Sequence, residues 1–253
     1  MNKVNFFWCG PNFNFLEFMV LKSHLKVEHS ITLWIHGDHP TNKYWKEIFP
    51  MITTKNADEI FDISEFLTNG GSFRTAADLW RFYFLYKEGG LYCDTDAFAL
   101  RKFPDDEWIV CSAETIPSML SIGVLKSPAG HPMFLECINS IKNNWGNIQV
   151  FTNVYRKYFG NTNPTHKNEL FYPYKWKEYR KIIMNVQIPK DVYSIHFYSN
   201  ALERYLLKPE TFLLRHLFLI RKLNIQDLNI QWCMNNDNTL LGRLWLWLTA
   251  EEN

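Results

Sequence analysis

The stretch RTAADLWRFYFLYKEGGLYCDTD, residues 74–96, decides how this chain reads. Thr75 to Lys87 has the composition of a helix, preceded by Gly70-Gly71-Ser72 and stopped by Gly89-Gly90, where glycine accepts the left-handed backbone of a helix end. Leu79, Trp80, Phe82, Tyr83, Phe84, Leu85 and Tyr86 leave almost no solvent-facing arc, so the helix is expected to be buried nearly all round. Arg74, Asp78 and Arg81 nevertheless fall at i, i+4 and i+7 and share one face. Buried charges must be paired, so these three form either an internal Arg-Asp-Arg cluster in the core or a stripe lining a polar cavity.

A short strand, Leu91 to Asp94, is expected next. Tyr92, Asp94 and Asp96 alternate with Leu91, Cys93 and Thr95, and a period of two aims the phenol and both carboxylates the same way. Paired carboxylates at a strand end suit a hard divalent cation such as Mg2+ or Mn2+, which takes oxygen ligands and keeps positions for substrate phosphates. An Asp-x-Asp triplet alone is weak evidence in a chain with 11 aspartates, and a solvated turn is its usual meaning. Asp105-Asp106 reads as such a turn.

Outward from this stretch, strands at Val4 to Cys9 and Ile31 to Ile35 alternate with helices at Phe13 to Val27 and Lys43 to Ile48, followed by a weak strand near Met51 to Thr54. That alternation predicts an open, mostly parallel central sheet flanked by helices, whose ligands sit at the carboxyl ends of the strands. Downstream, strands are expected near Trp108 to Ser112, Leu120 to Leu125, Leu170 to Tyr172 and Val192 to His196. Helices are expected at His131 to Asn143, Phe151 to Tyr158, Ser199 to Leu206 and Glu210 to Leu223.

With 253 residues, 47% hydrophobic and 21% charged, the chain suits one globular domain, alone or with a C-terminal appendage. A net charge of +1 lacks the footprint of a nucleic-acid binder. Five scattered cysteines without a CxxC pair argue against a zinc site or a disulfide framework. No stretch has the length of a membrane span, and the N-terminal apolar run is too short for a signal peptide, so a cytoplasmic location is expected. The basic and apolar segment Pro209 to Leu223, and Leu240 to Leu248 after it, either dock on the catalytic domain or lie at a membrane surface.

The whole run 74–96 resembles the DXD-containing sugar-binding region of GT-A glycosyltransferases, a group that includes yeast-type mannosyltransferases, alpha-1,4-glycosyltransferases and clostridial toxin glucosyltransferases. Phe6-Phe7-Trp8-Cys9-Gly10-Pro11 is similar to that group's first strand, and Ile195-His196-Phe197-Tyr198-Ser199 to a later motif in which Asn200 here stands in place of a Trp. Ser121 to Pro132 is similar to the segment after the DXD, with Ile122 where an Asn is common. The resemblance implies a GT-A Rossmann-like nucleotide-binding fold. It divides the chain into a catalytic domain over 1–207, with a nucleotide-sugar half at 1–112 and an acceptor half at 113–207, and a helical C-terminal extension at 208–253.

The same resemblance implies donor contacts from Trp8, Cys9, Gly10, Arg74, Asp78, Arg81, Tyr92, Asp94 and Ser199. It implies Mn2+ or Mg2+ held by Asp94, Asp96 and His196, with Asp78, Arg81, Asp94 and Asp96 as the catalytic set. The implied partners are a nucleotide-sugar donor, with a UDP-sugar favoured, and a glycan or lipid-linked acceptor, with retention of configuration. Two other functions fit an acidic pair and many aromatics: a metal-dependent nucleotidyl or phosphoryl transferase, and a non-catalytic carbohydrate-binding module. The first lacks a GxxxxGK[ST] loop or a second carboxylate cluster, and the second would need more oxygens for calcium.

Overall fold

A computed structural model of the chain describes residues 2–10, 13–113, 119–141, 147–160, 164–207 and 225–250. Strand β1 (Lys3–Cys9), apolar from Val4 to Trp8 save for the buried Asn5, lies at the centre of a five-stranded sheet, parallel to β2 (Ser30–His36) on one side and to β4 (Gly90–Cys93) on the other. Strand β3 (Thr53–Asn56) continues the sheet in parallel beyond β2, and β6 (Val124–Ser127) closes the far edge antiparallel to β4. The order is therefore β3-β2-β1-β4-β6. The chain runs outward from β1 in opposite directions on its two sides, which opens a crevice at the carboxyl ends of β1 and β4.

Helix α1 (Phe15–Lys26) starts at a capping box, in which the Asn14 side chain accepts from Leu16 N and Glu17 Oε2 accepts from Asn14 N at 2.8 Å. It covers one face of the sheet with Leu16, Met19 and Val20, all fully buried. The other face is covered by α4 (Phe73–Lys87), capped by Ser72 and buried along Leu79, Trp80, Phe82, Phe84 and Leu85. Its exit needs glycine. Gly89 has φ +63°, and a Cβ there would stand 2.3 Å from Ala129 N, so any side chain would collide with the backbone leading into α5 (Pro132–Ser140). Trp80 stacks between Phe7 of β1 and Phe84, which ties the helix to the sheet centre.

Shorter helices α2 (Lys43–Ile48) and α3 (Ser64–Thr68) and the longer α6 (Asn147–Phe159) complete the flanks. Strand β5 (Ala97–Ala99) leaves the main sheet and pairs antiparallel with β7 (Ser194–His196), which leads into α7 (Ser199–Leu207). At the C-terminal end, α8 (Ile230–Asn235) and α9 (Leu240–Thr249) fold back onto the domain. The Trp245 ring lies 5.5 Å from Phe15, and Leu240, Leu241, Leu244 and Leu248 are buried, so the apolar face of α9 packs on α1, α8 and the segment Trp176–Ile183. The expected helix at Glu210 to Leu223 lies outside the described residues.

Four expectations are corrected. Leu170 to Tyr172 is no strand: Asn168–Leu170 forms a 3-10 turn, with the Phe171 and Tyr172 amides both bonded to Asn168 O. Trp108 to Ser112 makes isolated bridges at Ile109, Cys111 and Ser112 without a continuous ladder, and the strand placed from Leu120 begins only at Val124. Strand β4 ends at Cys93, so Asp94, Thr95 and Asp96 form a turn closed by Ala97 N donating to Asp94 O at 3.1 Å. The aspartates are brought together by that turn, not by strand alternation.

Candidate active site

The site stands over the carboxyl end of β4. Arg81, 3% exposed, reaches from α4 across the sheet edge. Its guanidinium donates to Asp94 Oδ1 at 2.6 Å, to Tyr92 Oη at 3.2 Å and to the Ile122 carbonyl at 2.7 Å, and Asp78 Oδ1 lies at 3.3 Å. Tyr92 Oη also donates to Asp94 Oδ1 at 3.0 Å. Asp78, itself buried, accepts from Asn147 Nδ2 at 2.8 Å. Two carboxylates thus share one guanidinium, which is how the buried charge is compensated.

The electrostatics follow from this sharing. Burial works against the Arg81 charge, yet Asp94, Tyr92 and Asp78 together raise its pKa, so it is permanently protonated. Burial raises the Asp78 pKa, with Arg81 and Asn147 opposing. Burial also acts on Asp94, but Arg81 outweighs it, with help from His196 and Tyr92, and holds its pKa below the usual carboxylate value. Of the stripe expected on α4, Asp78 and Arg81 are inside, while Arg74 is exposed at the first turn. Arg74 still lies near enough to favour the Asp78 charge.

On the solvent side of Asp94, the pairing of β5 with β7 sets Ala97 opposite His196 and so brings in the imidazole. His196 Nε2 lies 3.1 Å from Asp96 Oδ1 and 3.6 Å from Asp94 Oδ2. Tyr198 N donates to His196 Nδ1 at 3.4 Å, and Ser199 N donates to Asp96 Oδ2 at 3.0 Å. The three side chains offer ligand atoms that all lie within 4.8 Å of one another. Residues 22–115 match the model of the glycosyltransferase sugar-binding region containing the DXD motif.

The fold agrees with that match. The solved structure titled "PaToxG Glycosyltransferase" superposes with a TM-score of 0.50 at 12% identity, covering 62% of this chain and 69% of that one. The likeness is one of fold: a GT-A Rossmann-like sheet flanked by helices. No curated protein matches the chain.

The residues around the DXD turn fit a divalent cation on three grounds. The donor set is two carboxylates and an imidazole, ligand types that divalent cations take. A Cβ on Gly123 would stand 2.9 Å from Asp94 Oδ2, 3.0 Å from His196 Nε2 and 3.1 Å from Tyr172 Oη, so its lack of a side chain leaves an atom-sized cradle ringed by three Lewis-basic atoms. Ser199, whose amide bonds Asp96, carries a buried Oγ without a hydrogen-bond partner, a polar atom still to be satisfied next to the aspartate.

At the other end of the crevice, Trp8 folds back through Nε1–H donated to Gly10 O at 2.8 Å and packs edge-on against Phe13. Cys9 is half-buried, with its thiol pKa pushed up to about 12 by burial, so it offers no nucleophile. Several neighbours escaped the sequence reading. His36 pairs across the sheet with Cys9 and holds Nδ1 2.6 Å from Asp58 Oδ1. Asn147 reaches the site from a distant segment with no local motif, whereas Gly123 and Tyr172 lie in stretches that resemble family segments, Ser121 to Pro132 and Phe171-Tyr172-Pro173, without a role having been assigned to either residue. For Gly123 a signal existed, since a glycine beside the strand that flanks an Asp-x-Asp turn permits close approach.

Proposed function

We propose that the protein is a metal-dependent glycosyltransferase, moving a hexose-type sugar from a nucleotide diphosphate, with UDP favoured, to a glycan or lipid-linked acceptor. The observation that carries this reading is the convergence of Asp94, Asp96 and His196 over Gly123, backed by an Arg81 whose charge Asp94, Tyr92 and Asp78 reinforce against burial. Asp94, Asp96 and His196 would hold Mn2+ or Mg2+, and a divalent ion there supplies a Lewis acid for the charge that gathers on a departing diphosphate.

The chain's own residues do the rest. Arg81 fixes the Asp94 carboxylate in one orientation and adds a preorganised positive field that needs no rearrangement as negative charge develops. Asp78, held by Asn147 and Arg81, presents an acceptor for sugar hydroxyls, and Arg74 at the helix start stands near the donor phosphates. Trp8, Cys9 and Gly10 form the end of the crevice where the base stacks, and Tyr92 sets the inner wall. Ser199 and the turn after β7 close over the donor and limit water, which fixes the reactants and suppresses hydrolysis. Resemblance to the toxin glucosyltransferases and alpha-1,4-glycosyltransferases favours retention.

A panel of UDP- and GDP-sugars with Mn2+, scored by released nucleotide and repeated on Asp96→Ala, tests the reading. The wild type should turn over at least one donor, and the variant should fold normally and lose turnover. Full activity of Asp96→Ala would refute the metal assignment.

A further inference from the structure

Behind the DXD turn, on the face away from solvent, two histidines are packed into the core. His24 near the end of α1 is fully buried, and His29 in the loop before β2 is 2% exposed. Their Nδ1 atoms lie 2.9 Å apart. His29 Nε2 accepts from the Phe103 backbone amide at 3.0 Å, and His24 Nε2 lies 3.0 Å from the Ala97 carbonyl. Phe6 and Phe103 pack edge-on against the His24 ring and help to bury the pair.

These three polar contacts admit one arrangement of protons. The Phe103 amide can only donate, so His29 Nε2 must be bare and His29 must carry its proton on Nδ1. That proton points at His24 Nδ1, which must then accept, so the His24 proton is on Nε2 and is given to the Ala97 carbonyl, which can only accept. A second proton on either ring would set two N–H groups face to face. Burial favours the neutral rings, with His24 lowered to about 3 and His29 to about 4, the latter helped by the like charge of Lys102. Besides Lys102, the Cys93 thiol, 3.9 Å from His24 Nε2, is the titratable group in contact with the pair.

The far end of this relay is Ala97, and its position gives the relay a role. Ala97 follows Asp96 in the chain, donates its amide to Asp94 O at 3.1 Å and stands opposite His196 in the β5–β7 ladder. All three ligand-bearing residues therefore adjoin the residue that His24 holds. Two positions on, Ser23 Oγ accepts from Ala99 N at 2.9 Å, so α1 grips both ends of β5.

We propose that His24 and His29 are positioning residues, a pair of neutral rings locked in one tautomeric order that holds the Asp94–Asp96 turn and the His196 strand in register for metal binding. The metal-binding clause rests on the function proposed above; the tautomeric order does not.

The test uses the full chain. Long-range 1H–15N spectra of the metal-free protein should show His29 protonated at Nδ1 and His24 at Nε2, and any other assignment overturns the relay. Two variants then separate positioning from packing. His24→Gln can keep the donor to Ala97 O, whereas His24→Asn loses it while keeping an acceptor for His29. In His24→Asn, Mn2+ affinity measured by electron paramagnetic resonance should fall about tenfold, as when a supporting partner of a metal ligand is lost, and His24→Gln should restore most of it. Amide exchange in His24→Asn should quicken at Ala97 and Phe197 and stay slow at Leu33 and Phe82. Equal affinity in both variants and the wild type, or exchange quickened uniformly through the core, would overturn positioning. If the wild type binds no Mn2+, the metal reading fails alone, because the spectra and the exchange pattern still judge the relay.

Discussion

Replacing Gly123 by alanine puts a methyl group into the cradle beneath the candidate metal site. The three nearest atoms, Asp94 Oδ2, His196 Nε2 and Tyr172 Oη, would lie 2.9, 3.0 and 3.1 Å from the new carbon, against about 3.4 Å for ordinary contact. Each must therefore retreat by about 0.3 to 0.5 Å, beyond the roughly 0.2 Å tolerance of metal–ligand distances. Gly123 is not in the left-handed region, so alanine adds no backbone strain, and a less flexible unfolded chain offsets part of the crowding by about 0.4–1 kcal/mol. The melting temperature should accordingly stay within about 4 °C of the wild type. Mn2+ affinity should fall at least about tenfold, close to 1.4 kcal/mol. Turnover should fall about 100-fold, the scale of a displaced catalytic constellation. Calorimetric Mn2+ titration and nucleotide release, run on a variant whose melt is first shown to be normal, measure all three. Wild-type affinity and turnover in Gly123→Ala would refute the placement of the cation between Asp94 and His196.

Three other substitutions probe the buried support. Arg81→Met strips the shared cation from Asp78 and Asp94 and should cost about 3–5 kcal/mol in urea unfolding, the usual effect of breaking a buried ion pair. Asn147→Ala removes the 2.8 Å donor to Asp78 and should cost about 1–3 kcal/mol while raising the donor KM, since Asp78 loses its orientation. Glu17→Gln keeps the capping box but removes a carboxyl whose pKa burial pushes up to about 8 from 4.5, with Asp96 and Glu203 adding to the shift. The folded state holds that proton longer than the unfolded state does, so this group's contribution to stability declines as pH rises from about 4.5 to about 8. Thermal melts from pH 5 to 9 should show the variant gaining on the wild type across that interval, and parallel curves would contradict it.

Much of the scaffold was legible. The β1–α1–β2–α2–β3 alternation and the Gly-bounded helix α4 read directly from periodicity, because each element buries one face against its neighbour. The Asp94–Asp96 pairing was also anticipated, but the geometry that achieves it is a turn, which a period-of-two argument cannot see. Strand signals failed at Trp108 to Ser112 and Leu170 to Tyr172, where apolar composition marks burial without a ladder partner. What stayed hidden is long-range. His196 was named through the family resemblance, but the ladder that brings it to the aspartates, 99 residues from Ala97, was not; likewise Asn147 meets Asp78 across 69 residues and His24 meets Ala97 across 73. None of these encounters leaves a local pattern.

Arg81 bonds a helix, a strand end and the Ile122 carbonyl at once, while Asp96 sits 18% exposed at the rim. A comprehensive mutational survey would therefore split the cluster in two. Scored by cellular abundance, substitutions at Arg81 and Asp78 should be as damaging as those at Trp80, whereas Asp96 should look neutral and emerge only when sugar transfer is selected.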